Sequence, residues 1–140
     1  MQGGDTIRYL AIDPGSHKVG IAIAERTAER WQVLFRAIVP LEQLRTTLEQ
    51  AIAQYAPQRY LVGAGTGVKR LLPHLQTWFP YVSWELVPER DTTLQARCLY
   101  FEQHPPRGWR RLLPKGMRVP PEPYDDYAAL ALIYRVASET

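Results

Sequence analysis

Apolar residues fall along this chain in runs whose spacing switches between the two-residue period of a strand and the 3.6-residue period of a helix. Residues 7–13 (IRYLAID) are apolar almost throughout, as expected of a short, buried, central strand. The segment DPGSHKVG turns the chain, and residues 19–25 (VGIAIAE) form a second apolar strand. Residues 31–39 alternate enough to make a third, with Trp31, Val33 and Phe35 expected on one face. The connections between these three are short, which predicts an antiparallel meander.

Helical spacing begins at residues 40–56, where Leu41, Leu44, Leu48, Ile52 and Tyr55 share a face and Pro57 follows the end. Residues 59–64 (RYLVGA) read as a fourth strand. Residues 66–79 read as a helix that Pro73 must kink or shorten. A fifth strand is expected over 82–87. Thr92 and Gln95 match a capping box for a helix over 92–103, with Leu94, Cys98 and Phe101 inward. The last helix spans 125–136 and turns Ala128, Ala129, Leu132 and Val136 inward. A meander followed by alternating helix and strand predicts an α/β fold. Its five-stranded mixed sheet, three antiparallel strands then two parallel, has the first strand central and helices on both faces.

Composition adds little to this picture and excludes several classes. The 140 residues suit one domain over 1–140, and 46% hydrophobic with 22% charged residues is ordinary for a globular chain. No run approaches the ~18 apolar residues of a membrane span. The N-terminus lacks the basic-then-apolar pattern of a signal peptide, so a cytoplasmic protein without a membrane partner is expected. A single cysteine, Cys98, leaves no internal disulfide and no zinc-binding cysteine set. The formal charge of +3 suits solubility as well as nucleic-acid binding. Its distribution is more telling. Residues 104–123 carry Arg107, Arg110, Arg111, Lys115 and Arg118 against one acid, Glu122, together with six of the twelve prolines. Prolines favour extended backbone, so a basic loop is expected there, with Trp109 available to stack on an unpaired base.

Four acids stand where an element ends or begins. Asp13 closes the first strand, Glu89 follows the fifth, and Asp125 and Asp126 open the last helix. An acid at the end of a buried strand is costly unless a positive group meets it, and a metal ion would serve. Each acid also has a plainer reading. Asp13 before Pro14-Gly15 is a good turn residue. Asp125 and Asp126 suit a helix start, and Glu89 can pair in a loop with Arg90.

The block IDPGSHKVGIAIAE resembles the opening of RuvC-like and YqgF-type nucleases, with Asp13, Gly15 and Gly20 on that family's aspartate and two glycines. The block VPERDTTLQARCLYFEQ is similar to the family's second signature at Glu89, Arg90, Thr93, Ala96 and Arg97. YDDYAALALIY is similar to the third at Asp125, Ala128 and Ala129. The resemblance implies a ribonuclease H-like fold and a metal-dependent nuclease. Its substrate would be structured RNA or branched DNA, as in trimming of a 16S ribosomal RNA precursor or resolution of a Holliday junction. Ribosomal precursor particles are then possible partners. It implies that Asp13, Glu89 and Asp125 are the catalytic, metal-binding acids, holding two Mg2+ or Mn2+ ions. Asp126 is a fourth acid or a helix-start charge, with the second favoured slightly. Lys18 is either a phosphate contact or a solvated hairpin charge, and Arg107, Trp109, Arg110, Arg111 and Lys115 are expected to meet nucleic acid. The oligomeric state is monomer or homodimer.

Three departures from the family pattern stand out. The fourth strand ends in Gly63-Ala64-Gly65-Thr66-Gly67 instead of Gly-Leu-Pro, Pro88 replaces an aspartate, and His17 stands where lysine is common. The glycines either let backbone amides approach a phosphate or form a plain strand-to-helix turn. These features support an alternative, a catalytically degenerate module that binds nucleic acid or ribosomes. A sugar-kinase or actin-like ATPase also opens with Asp-x-Gly, but it needs two such domains where this length supplies one.

Overall fold

A computed structural model describes residues 6–15, 17–28, 30–65, 67–88 and 125–138, with the side chains of Asp125 and Ser138 outside that description. Strands β1 (Ile7–Pro14), β2 (Lys18–Arg26) and β3 (Trp31–Pro40) are followed by α1 (Leu41–Tyr55), β4 (Arg59–Gly63), α2 (Val68–Trp78), β5 (Trp84–Val87) and α3 (Asp125–Ser138). The five strands form one sheet in the order β3-β2-β1-β4-β5. β1 is antiparallel to β2 and β2 to β3, whereas β4 and β5 run parallel to β1. The mixed sheet and central first strand expected from the sequence are both present. The expected helix over 92–103 and the loop over 104–123 lie outside the described residues.

Alternation along β1 and β2 divides their side chains by size. Leu10, Ile12, Val19, Ile21 and Ile23 point to one face, where they pack with Leu44 and Leu48 of α1 and Leu71 and Leu75 of α2. Tyr9, Ala11, Ala22 and Ala24 point to the other and pack under α3. The small residues let the α3 backbone approach the sheet. α3 brings alanines of its own, and Ala129, Leu130, Ala131, Leu132 and Ile133 are all buried. The inward surface is thus wider than the stripe expected from periodicity, and Ala128 is half-buried rather than core.

β3 departs from simple alternation. Phe35 pairs with Ile23 and Val33 with Ala24, which leaves Leu34 as an extra residue in a β-bulge. Trp31 and Val33 therefore pack on the α3 side, while Phe35 packs on the α1 and α2 side. This corrects the expectation that all three share a face, because an inserted residue reverses every side chain beyond it.

The remaining differences are at element ends. β5 begins at Trp84 rather than residue 82, since Val82 N–H donates to Phe79 O and is held in a turn. α2 continues past Pro73 to Trp78. Ala56 ends α1 in a left-handed conformation (φ 47°), its N–H donating to Ile52 O.

Two glycines are fixed by close approach. A Cβ on Gly15 would stand 2.4 Å from Lys18 O, the carbonyl that accepts the Gly15 N–H across the β1–β2 turn. A Cβ on Gly67 would stand 2.9 Å from Gly15 O and 3.1 Å from Pro14 Cβ. The start of α2 therefore rests directly on the turn that follows Asp13. Gly15→Ala is expected to lose about 1–3 kcal/mol of stability through overpacking, and Gly67→Ala less, because its neighbours need move only tenths of an ångström. Denaturant unfolding of the two variants beside the parent checks both the loss and its order.

Candidate functional site at the carboxyl edge of the sheet

Parallel strands deliver their C-termini to one edge. Ile12 pairs with Val62 on β4, and Gly63 pairs with Val87 on β5, so Val87 lies level with the end of β1. Two inter-strand spacings, about 10 Å in all, separate β5 from β1. The chain leaves β5 at Pro88 beside the edge that holds Asp13.

α3 comes toward the same edge from above. Its C-terminal end is tied to the opposite edge, where Arg26 Nη1 donates to Ala137 O at 3.1 Å and Arg26 pairs with Ile7 at the start of β1. Trp31 packs there too, with ring centroids 5.0 Å from Tyr134 and 5.8 Å from Tyr9. The helix thus runs back across β2 and β1, and it starts over Arg36 of β3, level with Ala11 and two residues short of Asp13.

An ion pair fixes that approach. Arg36 Nη1 donates to Asp126 Oδ2 at 2.9 Å, and the guanidinium lies 4.4 Å from the ring centroid of Tyr127. Asp126 Oδ1 accepts the Tyr127 N–H at 3.0 Å. The Asp126 side chain is 12% exposed and that of Arg36 31%. Arg36 reaches this face only because of the β3 bulge: it pairs with Ala22, which pairs with Ala11 under α3. In unbroken alternation Arg36 would point to the α1 and α2 side. Asp13 lies on the α3 face two residues beyond Ala11, ~7 Å further along the strand.

Asp13 is half-buried, makes contacts of its own, and faces Gly20, which has no side chain to cover the carboxylate. Lys18 is exposed at the start of β2, opposite Pro40. The backbone of Asp125 opens α3. The Asp125 side chain, Glu89, Arg107, Trp109, Arg110, Arg111 and Lys115 lie outside the described residues. Among the described residues no three His, Cys, Asp or Glu side chains group as metal ligands would. The glycine-rich turn after β4 spends amides internally: Ala64 N–H donates to Val87 O and Val68 N–H to Gly65 O. That favours the plain turn over a phosphate cradle.

Sequence reasoning missed Arg36. Its signal was present, a lone cation in an apolar strand, but unbroken alternation would have put it on the face away from α3. Groups with shifted pKa lie elsewhere. Hydrogen bonds to Glu85 push the Arg59 guanidinium up, and burial pushes the Tyr60 phenol up. Both residues pair with the first half of β1, away from Asp13. They are structural.

No protein-family model matches the chain, and no curated protein matches it by sequence. Solved structures do. RuvC of Thermus thermophilus in complex with a Holliday junction substrate superposes with a TM-score of 0.64 at 14% identity, over 95% of this chain and 96% of that one. A second Thermus thermophilus RuvC structure gives 0.58 at 16% identity, over 90% of each chain. The fowlpox virus Holliday junction resolvase gives 0.60 at 8% identity, over 95% of this chain and 99% of that one. At such identities the likeness is one of fold, and the fold is RuvC-like, of the ribonuclease H type.

Arg36→Met would leave the Asp126 carboxylate largely buried without its cation, at a cost of about 1–3 kcal/mol. Asp126→Asn should cost less, since asparagine Oδ1 can still accept the Tyr127 N–H and leaves no buried charge. A double-mutant cycle on thermal unfolding is expected to show the double variant more stable than the two losses added together.

Proposed function

We propose that this protein is a metal-dependent nuclease that hydrolyses phosphodiester bonds of structured nucleic acid. Asp13, Glu89 and Asp125 would be its metal-binding acids. The observation that supports this reading is topological: β1 and β5 end at one edge of the sheet, where Asp13 stands and Glu89 follows in sequence, and α3 begins in the half of the sheet nearer that edge. These residues would supply only carboxylate oxygens, a donor set that fits Mg2+ or Mn2+ and not softer metals. When bound, two such ions align an attacking water and steady the leaving oxygen.

The protein's own residues set the conditions for that chemistry. Asp13 directly follows Tyr9, Leu10, Ala11 and Ile12, all buried, so its backbone is fixed by the core. Asp126 is matched by Arg36 and is a structural acid rather than a fourth ligand. Lys18 is exposed beside the turn, where it can hold a phosphate. The basic segment over 104–123 lies in sequence between Glu89 and Asp125. Arg107, Arg110, Arg111 and Lys115 would meet phosphates and Trp109 an unpaired base. The substrate is a branched DNA or a ribosomal RNA precursor, the latter reached in precursor particles within the cytoplasm. A degenerate, binding-only module is the second reading, favoured by the tight packing of Gly67 on Gly15 in the departing loop.

Cleavage of a branched DNA and of a ribosomal RNA precursor, side by side with Mg2+ or Mn2+, tests the proposal. The parent is expected to cut one of them, and Asp13→Asn to lose cleavage by at least about a hundredfold, a loss of roughly 3 kcal/mol in transition-state stabilisation. The fold should persist, with thermal stability unchanged or raised because clustered acids repel. Asp126→Asn should retain most activity. Full activity in Asp13→Asn would reduce Asp13 to a turn residue, and absence of both cutting and metal binding in the parent would leave the binding module.

Replacing Arg107, Arg110 and Arg111 with alanine should weaken nucleic-acid binding and flatten its salt dependence. Each lost phosphate contact removes about 0.7–0.9 from the log–log slope. An unchanged slope would exclude the loop as a substrate clamp.

A further inference from the structure

The geometry points to a second contact with nucleic acid on the opposite face of the sheet: a slot between α1 and α2 that takes one unpaired nucleobase. This inference rests on the nucleic-acid reading above and extends it to residues that reading does not use.

The slot has a volume of about 180 Å3 and is lined by Leu41, Leu71, His74, Trp78 and Arg70, with Gly15 and Gly67 at one end. Sites for drug-sized ligands run to roughly 300–1,000 Å3, so this one suits a single flat ring system. Its walls are those that hold such rings. His74 stacks on Trp78 with centroids 5.6 Å apart and planes 28° from parallel, and Leu41 and Leu71 add aliphatic surface. Stacking on aromatic faces tolerates any base, because every base has a π-face.

Charge identifies the occupant as part of a polyanion. α2 carries Lys69 and Arg70 and no acid. Both are exposed, as is Lys18 on the turn beside Gly15. A base in the slot would place its own phosphate near this cationic rim. An apolar side chain of a protein partner would fill the walls but leave the cations unmatched. The slot also touches the turn that ends β1, so a strand crossing the Asp13 edge could set one base into it.

The test uses binding in chelator, so that no cleavage intervenes. The probes are a fluorescein-labelled thymidine oligonucleotide and an abasic phosphodiester strand of equal length and charge. The parent should prefer the thymidine strand by about tenfold or more, the worth of one stacked base. Leu41→Trp, which fills the slot, and His74→Ala, which removes an exposed wall, should each erase about tenfold of that preference and leave abasic binding unchanged. Two variants guard against misfolding in either, checked by thermal unfolding. Salt-dependent binding with the parent's preference intact in both variants overturns the slot alone. A parent that binds neither strand overturns the nucleic-acid reading and the slot with it.

Discussion

How closely α3 can approach the sheet decides everything at the Asp13 edge. A helix packed on leucines and isoleucines stands off by the length of those side chains. One packed on alanines comes closer, because the space between backbones must be filled without voids. β1 and β2 keep their leucine, isoleucines and valine for α1 and α2 and present Ala11, Ala22 and Ala24, beside Tyr9, to α3. The same alternation that gives α3 its floor puts Asp13 on that floor, at its open end. A one-residue slip in β1 would bury Asp13 against α1 and α2 and lift Ile12 into the helix.

Close approach brings a cost at the helix start. The Asp126 carboxylate is carried out of water with the first turn of α3, and a largely buried charge needs a partner. Arg36 supplies it from β3, two strands away from β1, and only after the bulge at Leu34 has turned the strand over. The bulge therefore belongs to the site even though it lies far from Asp13 in sequence. It sets the angle at which α3 begins, and with it the position of the Asp125 backbone.

Much of this was legible in the sequence, and the parts that were not have physical causes. The central place of the first strand followed from its mostly apolar run, and the meander from short connections. Asp13 and the start of α3 followed from where those elements end. Phe35 was grouped with Trp31 and Val33, and Arg36 went unnoticed, because a bulge is one inserted residue with no glycine or proline to mark it. The wide inward surface of α3 was underestimated because alanine is compatible with either a buried or an exposed position. The ion pair of Asp126 was not legible, since nothing in the spacing from residue 36 to residue 126 announces that contact.

The ion pair also bears on how negative the edge is. Asp125 and Asp126 are adjacent, and two unscreened carboxylates at one helix start would raise each other's cost of ionisation. Pairing Asp126 with Arg36 makes that position nearly neutral, so Asp125 adds its charge beside a compensated neighbour. On the proposed reading, the three remaining acids then offer a charge near −3 to divalent ions and keep enough positive charge uncompensated to attract a phosphate. A fourth free acid would bind the ions more tightly but would repel the substrate more. Arg36 offsets the burial of the Asp126 charge under α3, and on the proposed reading the same contact would keep the edge from becoming too acidic for a polyanion to approach.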